Sequence, residues 1–208
     1  ILGTVAARDE ELGYRTLLVT GDKDAYQLAS DLTKIVTTKR GITDVVIYGP
    51  EEVEERYGVT PAQFTDFLGL KGDKADNIPG VPGIGDKKAA SMLQAYGNLE
   101  GIYANLDKFK GKQLENLTNY KDDAFLSRQV ATIVRDADFE LDLESISFPD
   151  FNAEQVTEAF TDVRMMAHLA KILKLQGGEA ASIDLGSWDN FIEGDEAKAA
   201  IELPAEGY

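Results

Sequence analysis

Strand-forming runs are concentrated in the first 48 residues of this 208-residue chain. Leu17-Leu18-Val19, Ile35 to Thr38 and Val45 to Tyr48 read as β, and past Pro61 the β signal almost vanishes. Between these runs lie helical stretches with clear stops. Ile1 to Leu12 has helical apolar spacing and ends at Gly13, a residue suited to a left-handed C-terminal cap. Asp24 to Leu32 reads as a short helix with Tyr26, Leu28 and Leu32 available for packing, and Lys39-Arg40-Gly41 as the turn between two strands. Pro50 starts a further helix at its favoured first position, ending near Gly58. Helix, strand, helix and strand in succession predict an α/β layer, a sheet covered by helices.

The rest predicts a helical subdomain. Pro61 to Leu70 places Phe64, Phe67 and Leu68 on one side, and Asp86 to Tyr96 repeats apolar residues at Ala89, Leu93 and Tyr96. Leu126, Val130 and Ile133, and later Val156, Phe160 and Val163, carry the same period and are expected to face inward. Met165 and Met166 are read as core filler, and His168 as a packed or half-exposed helix residue. The expected organisation is an α/β core over 1–70, a helical subdomain over 71–175, and an acidic linker or tail over 176–208. Trp188 and Phe191 lie in that tail.

Composition excludes some classes. There are no cysteines, so disulfides and thiolate zinc sites are ruled out, in keeping with a cytoplasmic protein. No apolar run approaches the roughly 18 residues of a membrane span. The net charge of -16 argues against a polyanion partner, but its distribution weakens that objection. From Gln176 onward eight acidic residues face Lys198 alone, which leaves -9 to residues 1–175.

Two acidic clusters stand out in that remainder. Asp22 and Asp24 follow the first strand, where open α/β sheets place their active-site groups, and Asp73 and Asp76 lie in Gly72-Asp73-Lys74-Ala75-Asp76-Asn77. Hydrolysis of a phosphodiester needs an activated water and counter-charge for a crowded oxyanion, which divalent cations supply. Hard cations such as Mg2+ or Mn2+ take oxygen ligands, so the four aspartates are expected to converge on one patch. In an extended segment Asp22 and Asp24 would point to one side. The same residues also describe a helix N-cap with a solvated neighbour, and a Gly-Asp-x-x-Asp loop is also common on plain surfaces.

The second cluster leads into Pro79-Gly80-Val81-Pro82-Gly83-Ile84-Gly85-Asp86-Lys87-Lys88. Gly80, Gly83 and Gly85 permit positive φ and close approach, so that successive N–H groups can cradle a phosphate oxygen. Asp86 reads as the N-cap of the following helix, whose positive dipole end faces the same anion. Lys87 and Lys88 in its first turn favour a polyanion, and the Ile84 to Ala89 pattern suits a hairpin motif that grips a duplex backbone without reading sequence. Lys108, Lys110 and Lys112 form a short basic patch.

The runs Thr20 to Leu28, Leu70 to Val81 and Gly83 to Ala89 resemble the 5'-nuclease domains of bacterial DNA polymerases I, within the flap endonuclease superfamily. The resemblance covers roughly Ile1 to Leu175. It implies a PIN-like parallel-sheet nuclease core, truncated, followed by a helix-three-turn-helix subdomain. It also implies Mg2+-dependent (or Mn2+-dependent) removal of 5' ends and flaps from duplex DNA in replication and repair. By the resemblance Asp22, Asp24, Asp73 and Asp76 are catalytic metal ligands. Gly80, Val81, Gly83, Ile84, Gly85, Lys87 and Lys88 hold the duplex, with a monovalent cation such as K+ in the loop. It places the first metal-binding aspartates, the threading arch and a Glu-Ala-Asp-Asp motif before Ile1, and polymerase domains beyond the tail. On that reading the 208-residue chain has little nuclease activity by itself. The alternatives are a non-catalytic helix-hairpin-helix DNA-binding module and, below it, a PIN-type ribonuclease.

Overall fold

The computed structural model describes residues 1–40, 44–142 and 151–176. Helix α1 (Leu2–Leu12) ends at Gly13, whose φ of 76° is the left-handed cap expected there. Strand β1 (Thr16–Val19) pairs in parallel with β2 (Thr33–Arg40), and β2 pairs antiparallel with β3 (Asp44–Tyr48), giving sheet order β1-β2-β3. The small sheet is therefore mixed, with its one parallel pair next to the acidic cluster. Ile35, on the central strand, faces Leu18 on one side and Tyr48 on the other. The end of the β2–β3 turn at Gly41 lies outside the described residues.

The segment after β1 is shorter and tighter than the sequence pattern predicts. A 3-10 helix covers Lys23–Leu28 and ends at Ala29, because the chain must re-enter the sheet at Thr33. Tyr26 on this turn sits in an aromatic cluster with Tyr48, Tyr57 and Phe64, at ring centroid separations of 4.9, 5.3 and 5.6 Å. The contacts with Tyr48 and Phe64 are edge-on, and such contacts each add about 0.5–1.5 kcal/mol beyond area burial. The cluster thus clamps the acidic 3-10 turn onto the sheet and onto the first helices of the second half.

Helix α2 (Pro50–Tyr57) begins at Pro50 and stops at Gly58, again left-handed. A short 3-10 turn at Pro61–Gln63 runs into α3 (Phe64–Lys71), whose Phe64, Phe67, Leu68 and Leu70 are buried. After an irregular stretch come α4 (Asp86–Tyr96), α5 (Leu99–Ala104), α6 (Gly111–Asn119) and α7 (Lys121–Ala131). α3 packs against α7 so closely that a Cβ at Gly69 would lie 2.9 Å from the Ala124 carbonyl. The pair is bound further by Arg128, which donates to Asp66 at 3.0 Å and to Glu100 at 2.7 Å, with its guanidinium over Phe125.

This contact corrects the sequence reading of α7. Leu126 and Val130 are 53% and 63% exposed, and Ile133 lies beyond the helix end. The inward face is Ala124, Ser127 and Ala131. Two helix backbones meeting at a glycine admit only small side chains, so the large apolar residues mark the wrong face.

The chain divides into two compact units with the boundary between Asp138 and Phe139. The boundary expected near residue 70 falls inside the first unit, where α3 passes into the irregular stretch. In the second unit α8 (Ala153–Asp162) is capped by Asn152, which accepts from the N–H groups of Glu154 and Gln155. Val156 and Phe160 are half-buried, while Val163 ends the helix and is 63% exposed. On α9 (Met166–Gln176) Leu169 is buried and His168 is exposed. Met165 and Met166 are exposed and do not fill a core, since they stand at the exposed junction between the two short helices. Residues 177–208, with Trp188 and Phe191, lie outside the described residues. Among the described residues no helix is long and apolar enough to cross a membrane.

Candidate nuclease site and duplex-binding turn

Asp22 ends the exit from β1 and caps the 3-10 helix, its Oδ1 accepting from the Asp24 N–H at 3.0 Å. The two aspartates are therefore not on an extended segment: Asp22 is exposed, and Asp24 is turned inward on the first turn. Asp24 Oδ1 is buried and has no hydrogen-bond partner among the described residues. Burial pushes the Asp24 carboxyl up to about 6, reinforced by the negative charges of Asp22, Asp76 and Asp73. The other three candidate carboxylates thus all bear on Asp24.

A second residue of this turn holds the site in place. Gln27 donates to the Asp24 carbonyl and to the Ala131 carbonyl, both at 2.8 Å, and accepts from the Ile133 N–H at 2.9 Å. It ties the acidic turn to the end of α7. Nothing in its spacing distinguishes it in the sequence, because both outer partners are about a hundred residues away.

Asp73 and Asp76 sit in the irregular stretch after α3. Asp73 and Ile78 exchange N–H to carbonyl bonds at 3.0 and 2.7 Å, and Asp73 Oδ1 accepts from the Ala75 N–H. The loop so closed presents Asp76 to solvent and needs positive φ at Gly72 and Asn77. Among the described residues no three histidine or acidic side chains are gathered closely enough to hold a metal ion, so the four aspartates do not form the single converged patch expected of them. An orphaned buried carboxylate oxygen in an all-oxygen donor set nevertheless fits a hard divalent cation, with further oxygen donors completing its shell.

The turn that follows is built from the backbone. Gly80 has φ 59° and donates its N–H to Ser127 Oγ on α7. Val81 donates to the Leu70 carbonyl and Ile84 to that of Val81, and both side chains are buried. These residues shape the turn from within, and its open side belongs to Gly83, Gly85, Asp86, Lys87 and Lys88, which line a recess of about 310 Å³. Gly85 is the N-cap of α4 with no side-chain cap, so Asp86 stands one position later than expected. Its carboxylate pairs with Lys71 at 3.2 Å. Lys88 donates to the Gly83 carbonyl, whereas Lys87 is exposed and has no acidic partner among the described residues. In the basic patch Lys108 pairs with Asp107 and Lys112 with Glu115, so two of its three charges are offset locally.

A strand-end acidic turn, an acidic loop and a glycine-built turn opening a helix all belong to the first unit. Residues 59–154 match the family model described as 5'-3' exonuclease, C-terminal SAM fold. The chain belongs to this 5'-3' exonuclease family.

Its relatives include DNA polymerase I of Bacillus caldotenax, 44% identical over the whole chain and 24% of that polymerase. DNA polymerase I of Bacillus subtilis is also 44% identical, over 78% of this chain and 19% of the relative. The chain therefore spans about a quarter of the length of these relatives. Among solved structures, T5 5'-exonuclease with bound zinc is similar over 62% of this chain and 48% of that one, at a TM-score of 0.52 and 25% identity. The bacteriophage T5 flap endonuclease in complex with DNA and metal ions matches over the same shares, at 0.54 and 25%.

Proposed function

We propose that this chain is the duplex-gripping and second metal-binding part of a bacterial 5'-3' exonuclease and flap endonuclease that acts within a DNA polymerase I in the cytoplasm. The observation that carries the reading is Asp24, a carboxylate held half-buried with one oxygen unpartnered among three further aspartates. A fold retains such an oxygen at a cost of about 1–3 kcal/mol unless a ligand satisfies it. Asp22, Asp24, Asp73 and Asp76 would hold the ion, Mg2+ or Mn2+. When bound, it supplies positive charge to the scissile phosphodiester and acidity to a water.

The protein's own part is to fix the donors. Asp22 spends one oxygen on capping the turn, and Gln27 pins the carbonyl of Asp24 to α7. Gly83, Gly85, Lys87 and Lys88 would hold the backbone of duplex DNA bearing a 5' end or flap, by charge and by N–H groups, with K+ as the cation suited to carbonyls of the turn. The flanking polymerase sequence would supply the remaining nuclease residues and the polymerase activity.

A second reading, a non-catalytic duplex-binding module, draws on the lack of a complete cage among the described residues. Titration of the chain with Mn2+, followed by a labelled 5'-flap duplex, separates the two. The nuclease reading expects weak Mn2+ binding that Asp24→Asn abolishes, with duplex binding retained. Duplex binding with no Mn2+ binding at any accessible concentration would leave the module.

A further inference from the structure

Beside the two sites lies a cleft of about 660 Å³ between α2 and α4, lined by Lys23, Arg56, Tyr57, Lys71, Lys87 and Gln94 among others. In a chain of net charge -16 this wall carries four cations. Its one acid, Asp86, is already paired with Lys71. Lys23, Arg56 and Lys87 have no carboxylate partner among the described residues. The Arg56 guanidinium lies over the rings of Tyr48 and Tyr57, at 5.1 and 5.3 Å from their centroids. Stacking fixes the plane of the fork and leaves its N–H edge for an anion. On α4, Lys87, Ser91 and Gln94 follow one another at helical spacing along the same wall, adding a hydroxyl and an amide.

Like charges gathered in one recess repel, and a fold tolerates them where an anion is to be bound. The cleft is larger than a single phosphate needs and falls in the range of nucleotide-sized sites. Its ends are chemically defined: Lys23 stands between Asp22 and Asp24, and Lys87 belongs to the turn that opens α4.

We infer that this cleft is a phosphate subsite, in which Lys23 and Arg56, with Lys71 and Lys87, take a phosphate of a nucleic-acid strand running between the acidic turn and the glycine-built turn. The inference rests on the nucleic-acid reading above and adds Arg56 and Lys23, which that reading does not use. The phosphate is either internal to the strand or its 5'-terminal group.

The test measures the affinity of the full chain for flap duplexes with a 5'-phosphate or a 5'-hydroxyl, by fluorescence anisotropy over a range of salt without divalent ions. Arg56→Gln should weaken binding about tenfold, as the loss of one charge-assisted contact does. It should also lower the slope of log K against log salt by about one. Lys23→Gln should do the same without disturbing the tyrosine stack, and Arg56→Lys should recover part of the loss. Lys171→Gln, the same charge change on α9, should match the parent, and melting by circular dichroism verifies that each variant is folded. Loss confined to the 5'-phosphorylated duplex assigns the terminal group, and equal loss on both assigns an internal one. If the parent binds and both Arg56→Gln and Lys23→Gln bind as the parent does, with its salt slope, the subsite is refuted. If the parent binds neither duplex, the nucleic-acid reading itself falls.

Discussion

Replacing Gly80 by alanine should destabilise the first unit more than any other single methyl added to the glycine-built turn. At φ 59° an L side chain costs about 1–2 kcal/mol. The new Cβ would also strike backbone, lying 2.6 Å from the carbonyl carbon of Lys71 and 2.7 Å from Cα of Gly72, neither of which can swing away. Relieving such overpacking costs a further 1–3 kcal/mol or so, against about 0.4–1 kcal/mol regained from the stiffer unfolded chain. The net expectation is a loss of about 2–4 kcal/mol. Two neighbours calibrate it. Gly83 shares a positive φ of 79° but would meet only the Asn116 amide at 3.5 Å, so Gly83→Ala should cost about 1 kcal/mol. Gly85 has φ -108° and nothing within 4 Å, so Gly85→Ala should lie within about 0.5 kcal/mol of the parent. Urea unfolding followed at 222 nm measures all three. Equal stability of Gly80→Ala and Gly85→Ala would refute the crossing of backbones at Gly72 and Gly80. Because Gly85 faces the open recess, its alanine variant should reveal itself in duplex affinity instead.

Tyr103 carries a buried hydroxyl with no partner among the described residues, so Tyr103→Phe should be neutral or stabilising by about 1 kcal/mol in the same urea assay; a clear loss would show that the hydroxyl is satisfied. Asp24 is raised from 3.8 to about 6, so the folded state binds its proton more tightly and stability falls as pH rises through that window. Asp24→Asn, measured in EDTA, should remove this fall and stabilise the protein by roughly 1 kcal/mol at pH 7.5, the shift being discounted for partial exposure. Glu10 has the opposite sign: burial raises it, but hydrogen bonds from Ser30, Thr33 and Arg135 together bring it below its ordinary 4.5. Its contribution is therefore complete above that value and lost as pH falls through the folded value. Glu10→Gln should be less stable than the parent at pH 7 and equal to it near pH 3, and a constant difference across that range would refute the assignment.

Where local chemistry decides an element, the sequence reveals it. α1 stops at Gly13, α2 runs from Pro50 to Gly58 and α4 spans Asp86 to Tyr96, each through caps and periods contained in a dozen residues. The acidic positions Asp22 and Asp24 at the end of β1 were legible for the same reason. What was not legible depends on distant partners. The inward face of α7 is set by Gly69, and Gln27 acts through Ala131 and Ile133. The pairing of Asp86 with Lys71 leaves the capping of α4 to Gly85, and Arg56 is oriented by rings from two other positions. None of these leaves a periodic trace in the chain.

Helix α7 makes two tethers from one side, accepting the Gly80 N–H at Ser127 and the Gln27 amide at the Ala131 carbonyl, one helical turn further on. A shift of this helix along its axis by a fraction of an ångström moves the glycine-built turn and the acidic turn together. The two sites therefore have a common mechanical reference, and neither can be re-aimed alone by changes in α7. In divergent sequences this restricts which substitutions can be accepted singly. Any side chain at 69 would strike the Ala124 carbonyl, which no substitution at 124 removes, and loss of Arg128 strands the buried Asp66. Gly69 should therefore stay fixed and 66 should change together with 128, while the exposed Leu126 and Val130 vary independently.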